Sequence, residues 1–260
     1  MSLIWSFALL LRLNVSGARV SLIAFYLPVC IFLFGCVDPL SSHQIELNVD
    51  QTLKLARTFP YAMEGDHKHH LYRLATPKAN GLLVSRCREF VEPDITSDAS
   101  PLILGYTGGS EEASALIEII TTIALNHAED PEAFMSGRSA TFLRSVMVSL
   151  GLMGRRQIPE AREFLEDVVS SADNEIYRLR WYNQNDEAAT LSFALTGFVI
   201  MKPEDIEGTV ARAKSRIEKK YPELSFFQVT VPAMQHEVRL ISELEKQPVT
   251  DSERRRFLDD

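Results

Sequence analysis

Apolar residues in the middle of the chain recur with helical spacing, in pairs of runs separated by short turns. The stretch SLGLMGRRQIPEAREFLEDVV, Ser149 to Val169, shows the unit. An apolar run closes in Leu-Gly-Leu-Met-Gly, two arginines and a proline follow, and a second, amphipathic run begins. In that second run Ala161, Phe164, Leu165 and Val168 fall at i, i+3, i+4 and i+7, one face of a helix. Arg162, Glu163, Glu166 and Asp167 take the opposite face. The stretch LILGYTGGSEEASALIEIITTI at 102–123 has the same order of parts, with Ile119 and Ile123 on its apolar face. Gly105 and Gly151 stand 46 residues apart, and a further 46 reaches Gly197 in LSFALTGFVIMKPEDIEGTVARAKSRI. There Ile200 replaces the second glycine and Thr196 the leucine, so the third copy is degenerate.

Each copy predicts helix, turn, helix. The first helices are expected over about 95–106, 138–153 and 185–200, the second over about 110–126, 158–171 and 203–220. Pro159 and Pro203 sit near second-helix starts, where a missing N–H costs nothing. Glu111, Glu112, Glu160, Glu204 and Asp205 follow in first turns, where negative charge meets the positive end of the helix dipole. A two-helix unit of this size cannot bury its apolar face alone, so neighbouring units must stack. The pattern resembles HEAT-like repeats, whose period is roughly 40–47 residues. That resemblance covers 95–220 and implies an all-α fold, an α-solenoid of helical hairpins; ordinary helical-bundle packing is the alternative.

The flanks complete the division of the chain. KANGLLVSRCREFVE at 78–92 reads as the second helix of an incomplete preceding unit, with Leu83, Cys87 and Phe90 or Val91 on one face. Cys87 is then a small buried hydrophobe. After 220, ELSFFQVTVP is β-prone, and AMQHEVRLISELEKQ at 233–247 returns to helix, with Met234, Val238, Ile241 and Leu244 on one face, as a cap. The expected organisation is a signal or anchor at 1–36, a tether and irregular segment at 37–77, the repeat array at 78–220, and a cap and tail at 221–260. Within 37–77, VDQTLKLARTF reads as a short helix.

The first 36 residues act as an address. After Arg19, the run VSLIAFYLPVCIFLFGCV carries no charge and closes in Leu33-Phe34-Gly35-Cys36. A positive residue, an apolar core and a small terminal residue form the secretory pattern. The closing tetrapeptide resembles the lipobox of bacterial lipoproteins. By that resemblance cleavage follows Gly35, and Cys36 is the site of lipid attachment. The same run is just long enough to span a bilayer as an uncleaved anchor. Both readings place the body outside the cytoplasm, in the cell envelope.

Composition sets the limits. With 260 residues and 46% hydrophobic content, the chain can bury a substantial core. A formal net charge of -8 repels a phosphate backbone and argues against nucleic acid as a partner. Three cysteines, two of them in the N-terminal apolar segment, do not make a disulfide framework. GYTGGSEE lacks the lysine of a phosphate-binding loop, and no Gly-x-Ser-x-Gly elbow occurs.

Two stretches carry candidate chemistry. EGDHKHH supplies His67, His69 and His70 beside Asp66, suitable zinc or copper ligands; a solvated loop is the plainer reading. NEIYRLRWYNQNDE at 174–187 crowds Tyr177, Arg178, Arg180, Trp181 and Tyr182 between the second and third units. Tyr, Trp and Arg dominate binding hot spots, so this is the candidate partner-binding patch. Its alternative is structural, with Ile176, Leu179 and Trp181 packed inward. Together these features point to a non-catalytic, membrane-tethered scaffold that binds a protein partner without a cofactor. A metal-binding protein or metal-dependent enzyme built on the histidine cluster is the second expectation.

Overall fold

The computed structural model describes residues 73, 77–89, 95–130, 132, 134, 135, 137–181, 185–223, 229–248 and 250. Among them are eight α-helices and no β-strand: α1 (Asn80–Arg88), α2 (Ile95–Thr107), α3 (Ser110–Glu129), α4 (Gly137–Arg155), α5 (Pro159–Ser170), α6 (Asp186–Met201), α7 (Ile206–Lys220) and α8 (Val231–Lys246). The protein is all-α. Short 3-10 turns precede α1 and α7, and another occupies Glu175–Arg178. The paired helices of the three units fall where the periodicity puts them. The short helix expected within 37–77 lies outside the described residues.

The turns explain the breaks in the pattern. Gly109 N–H donates to the Glu112 carboxylate at 2.7 Å, so the first turn of α3 satisfies the donor just before it. At the end of α4, Gln157 adopts the left-handed conformation with φ 69°. This lets Gln157 N–H reach the Gly154 carbonyl at 3.0 Å and Ile158 N–H the Met153 carbonyl at 3.1 Å. Pro159 then opens α5. Before α6, the Asn185 side chain accepts from Ala188 N–H at 3.0 Å and caps the helix.

The recurring glycines mark where successive first helices cross. Helix α4 packs on α2 on one side and on α6 on the other. A Cβ added at Gly105 would stand 2.9 Å from Ser149 Cα. One added at Gly151 would stand 2.9 Å from Gly197 Cα and closer to the Gly197 carbonyl oxygen. One added at Gly197 would press into the Met147 carbonyl. The 46-residue spacing is therefore a spacing of backbone-to-backbone contacts. Ser149 strengthens the α2–α4 crossing by donating across it to the Pro101 carbonyl of α2. Arg156 adds two bonds, to the carbonyls of Gly105 at 2.9 Å and Gly108 at 2.8 Å, at the C-terminal end of α2.

The largest core cluster runs from Leu83 and Cys87 of α1 through Leu116 and Ile120, Phe142 and Met147, to Leu165, Trp181 and Phe198. The expected faces of α5 and α8 are buried: Ala161, Leu165 and Val168, then Met234, Ile241 and Leu244, with Phe164 and Val238 half-buried. Cys87 is a free, buried thiol, and desolvation pushes its pKa up to about 12. A second cluster joins Leu191, Leu195 and Val199 of α6 to Val210 and Ile217 of α7 and Met234 of α8. The C-terminal helix thus packs on the last hairpin, but it also extends further. Ile241 joins Val148 and Leu152 of α4 and Ile200 of α6 in a third cluster, so α8 reaches back across two units.

Candidate functional site

The segment between α5 and α6 has the most varied chemistry among the described residues. It leaves α5 with Asn174, whose amide donates to Asp167 at 2.6 Å while its oxygen accepts from Ile176 N–H at 3.1 Å. That pairing winds Glu175–Arg178 into its 3-10 turn. The turn buries Ile176 and then Leu179.

Tyr177 and Arg178 alternate inward and outward. Tyr177 is half-buried, its hydroxyl donates to the Val168 carbonyl at 2.6 Å, and the Arg216 guanidinium lies 4.9 Å from its ring centroid. Burial pushes the phenol pKa up to about 12, against the opposing pull of Arg216. Arg178 is exposed and 3.9 Å from Glu175.

Arg180 ties the segment to the end of α3. Its guanidinium donates to the carbonyl of His127 at 2.8 Å and to that of Asp130, and it lies 5.7 Å from the Phe134 ring centroid. Its own carbonyl accepts from Met135 N–H at 2.7 Å. His127, partly desolvated and beside Arg180, is held below the ordinary histidine pKa, with Asp130 opposing. Trp181 is 5% exposed. Its indole N–H donates to Thr190 at 3.0 Å, its ring leans on Phe193 at 5.4 Å, and its backbone N–H donates to Asp186 at 2.7 Å. The sequence allowed this segment either a partner-facing or an inward-packed role. For Trp181 the burial favours inward packing, because no face of the indole is left for a partner. Of the candidate patch residues that are described, Arg178 is exposed and Arg180 and Tyr177 are partly so. Tyr182 lies outside the described residues.

A cluster that the sequence reading did not single out adjoins this segment. Glu187, 5% exposed, sits in the first turn of α6 with Arg216 Nε donating to one carboxylate oxygen at 2.9 Å, and Lys220 and the Tyr221 hydroxyl, at 3.2 Å, donating to the other. Burial opposes ionisation, but the bonds from Lys220 and Arg216 outweigh it, so the carboxyl titrates below its usual range. Arg216 also donates to the Val169 carbonyl at 3.2 Å, near the end of α5. A cleft of about 490 Å³ opens here between Ser170, Ala172, Lys219 and this cluster. Chemically, Glu187 is a strut. A carboxylate held ionised with both oxygens occupied is neither a general acid nor a ready base at neutral pH. The available signal was a carboxylate on an otherwise apolar helix, opposite basic residues spaced i, i+4 on α7.

Among the described residues no group of three or more His, Cys, Asp or Glu side chains is placed to hold a metal ion. His67, His69 and His70 lie outside them, as does Cys36. Among the described residues no helix is long and apolar enough to cross a membrane. Set against protein-family models, curated proteins and solved structures, the chain matches none.

Proposed function

We propose that the chain is a helical-repeat scaffold, held in the cell envelope by its N-terminal segment with its body outside the cytoplasm, and that it binds a protein partner. In this reading the hairpins α2–α3, α4–α5 and α6–α7 form a short HEAT-like solenoid, and Cys36 carries the lipid. The observation that supports it is the recurrence of a glycine at each crossing of first helices, 46 residues apart, with α4 held between α2 and α6. Such an arrangement is extended sideways by adding units and offers faces rather than a catalytic pocket. The internal use of Arg156, Arg180, Glu187 and Arg216 as struts is consistent with a rigid support. Arg178 and the solvent edge of Tyr177 and Arg180 are the part of the α5–α6 segment assigned to the partner.

Two measurements test it. The mass of the mature N-terminal peptide from native membranes is expected to correspond to a chain beginning at Cys36 with added acyl mass. A photo-crosslinker at position 178 is expected to give one discrete protein adduct in those membranes. An unprocessed chain in the soluble fraction, with no adduct, overturns the reading.

A further inference from the structure

The C-terminal helix meets α4 and α6 through a limited set of side chains. Ile241 sits over Val148, Leu152 and Ile200, and Leu102 and Tyr106 of α2 lie half-buried beside them. Of the sixteen residues of α8 only Met234, Ile241 and Leu244 are buried, whereas α6, of equal length, buries eleven. Basic groups line the route. Arg144 of α4 pairs with Glu237 at 2.7 Å and Arg155 with Glu245 at 3.1 Å, so α8 runs in the same direction as α4. Arg73 donates to the carbonyls of Leu244, Glu245 and Gln247 and so closes the C-terminal end of α8. We propose that the face shared by α4 and α6 is a docking groove for an acidic amphipathic helix, and that α8 is its built-in, displaceable occupant.

Three observations carry this. The charge pattern is complementary: two arginines on α4 face two carboxylates on α8, with an apolar seam between. The fit is incomplete, because Arg155 keeps Nη1 buried without a hydrogen-bond partner, and a ligand bringing a further acceptor there gains a charge-assisted bond. The contact is also of the kind that opens locally. Its ion pairs are partly exposed, with side-chain exposures of 51% and 25% for Arg144 and Glu237, and exposed pairs contribute little. A helix covalently joined to its groove enjoys a high effective concentration, so a contact too weak between separate molecules holds here. A partner helix must outcompete that concentration, which makes α8 a threshold on binding. The groove deepens the scaffold reading and rests on it in supposing a protein partner.

The test uses the full chain and a labelled synthetic peptide of residues 229–248 as the probe. Ile241→Asp in the chain weakens its own α8 and is expected to raise affinity for the wild-type peptide by about tenfold or more over the unaltered chain. A peptide carrying Ile241→Asp is expected not to bind. A peptide with Glu237→Arg and Glu245→Arg is expected to lose binding and to regain it on a chain with Ile241→Asp, Arg144→Glu and Arg155→Glu. Absence of peptide binding to an Ile241→Asp chain that keeps its helical circular dichroism overturns the proposal. Should that variant lose its fold, hydrogen exchange on the unaltered chain decides. Amides of α8 are expected to exchange on the order of 100-fold faster than those of α4; exchange of both in one common opening overturns the groove. The scaffold reading stands or falls separately, on the crosslink at position 178.

Discussion

Helices α6 and α8 both touch α4, by opposite means, although α8 also packs on the α6–α7 hairpin. At the α4–α6 crossing Gly151 and Gly197 bring backbone against backbone, with no side chain between. At the α8 contact a few side-chain tips meet: Ile241 on Val148, Leu152 and Ile200, with paired charges on either side. Backbone contacts cannot adjust without moving whole helices, whereas side chains change rotamer. The first contact fixes geometry and has a steep cost for alteration; the second tolerates change and can open.

The sharpest way to break this comparison is a set of single methyl groups. Gly151→Ala places a carbon against the Gly197 backbone and is expected to cost about 3 kcal/mol or more, the upper end for overpacking. Gly154→Ala meets the flexible Met201 side chain, with Sδ at 2.7 Å, and is expected to cost about 1 kcal/mol or less. Gly81→Ala, in α1 with open space around the new carbon, is expected to stabilise by about 0.5–1 kcal/mol through helix propensity alone. Urea unfolding midpoints of the three variants measure the order. Equal effects at 151 and 154 would mean that the two contacts do not differ as described.

The second largest effect lies at Glu187, which links α6 to α7. Glu187→Gln keeps the shape and removes the charge that Arg216 and Lys220 share, and is expected to cost about 2 kcal/mol, less than a fully buried pair because Lys220 is half in solvent. The pH dependence follows from the lowered pKa. A carboxyl held below its unfolded value, about 4.3, contributes fully above that value and loses its contribution as pH falls through the folded value. Stability of the unaltered chain therefore declines on acidification below about pH 4.3, and Glu187→Gln flattens that part of the curve. An unchanged acid limb in the variant would remove Glu187 from the account.

The sequence disclosed the helices and the period because both are carried by local rules: apolar spacing, proline at helix starts and glycine at a fixed interval. It disclosed that Gly105, Gly151 and Gly197 belonged together. What they touch is a tertiary fact that spacing alone does not contain. Trp181 and Arg180 illustrate the limit more clearly. Residue type marks both as partner-binding groups, yet Thr190 and the carbonyls of His127 and Asp130 lie within reach only after α3 and α6 have packed. Glu187 was hidden for the same reason: its partners come from α7, and a carboxylate in a first helical turn already has a local explanation in the dipole. The reach of α8 onto α4 rests on pairs 93 and 90 positions apart, Arg144 with Glu237 and Arg155 with Glu245, which no local pattern connects.

Arg156 lies between the two modes of contact. It is a side chain, yet it bonds two backbone carbonyls at the end of α2 and so supports the rigid crossing. Lys202, 46 residues later, instead pairs with Glu166 of α5 at 2.6 Å, at a solvent-facing site. Arg156→Met, which keeps the apolar stem, is expected to cost about 1–2 kcal/mol, the worth of charged hydrogen bonds to two otherwise unpaired carbonyls. Lys202→Met is expected to change stability by about 0.5 kcal/mol or less. Chemical denaturation in low and high salt distinguishes them, since only the Lys202 contribution is expected to fade with screening.

The smallest expected effect is at Arg144. Its pair with Glu237 is half-exposed, so Arg144→Ala is expected to move the global unfolding midpoint by about 0.5 kcal/mol or less. Global unfolding is nevertheless the wrong observable for a contact that opens by itself. If α8 lifts while α4 and α6 stay folded, the ion pair enters only the local opening equilibrium, and its loss appears in full in the exchange of α8 amides and not in those of α4. The variant is therefore expected to exchange about twofold faster along 231–246 with α4 unchanged, and raising salt on the unaltered chain is expected to reproduce part of that acceleration. A methyl group at Gly151 must do the reverse, raising exchange in α4 and α6 together because their contact has no smaller unit of opening. Should Arg144→Ala accelerate exchange in α4 as much as in α8, the two contacts would belong to one cooperative unit, and the difference between a backbone contact and a side-chain contact would have no consequence for how this molecule opens.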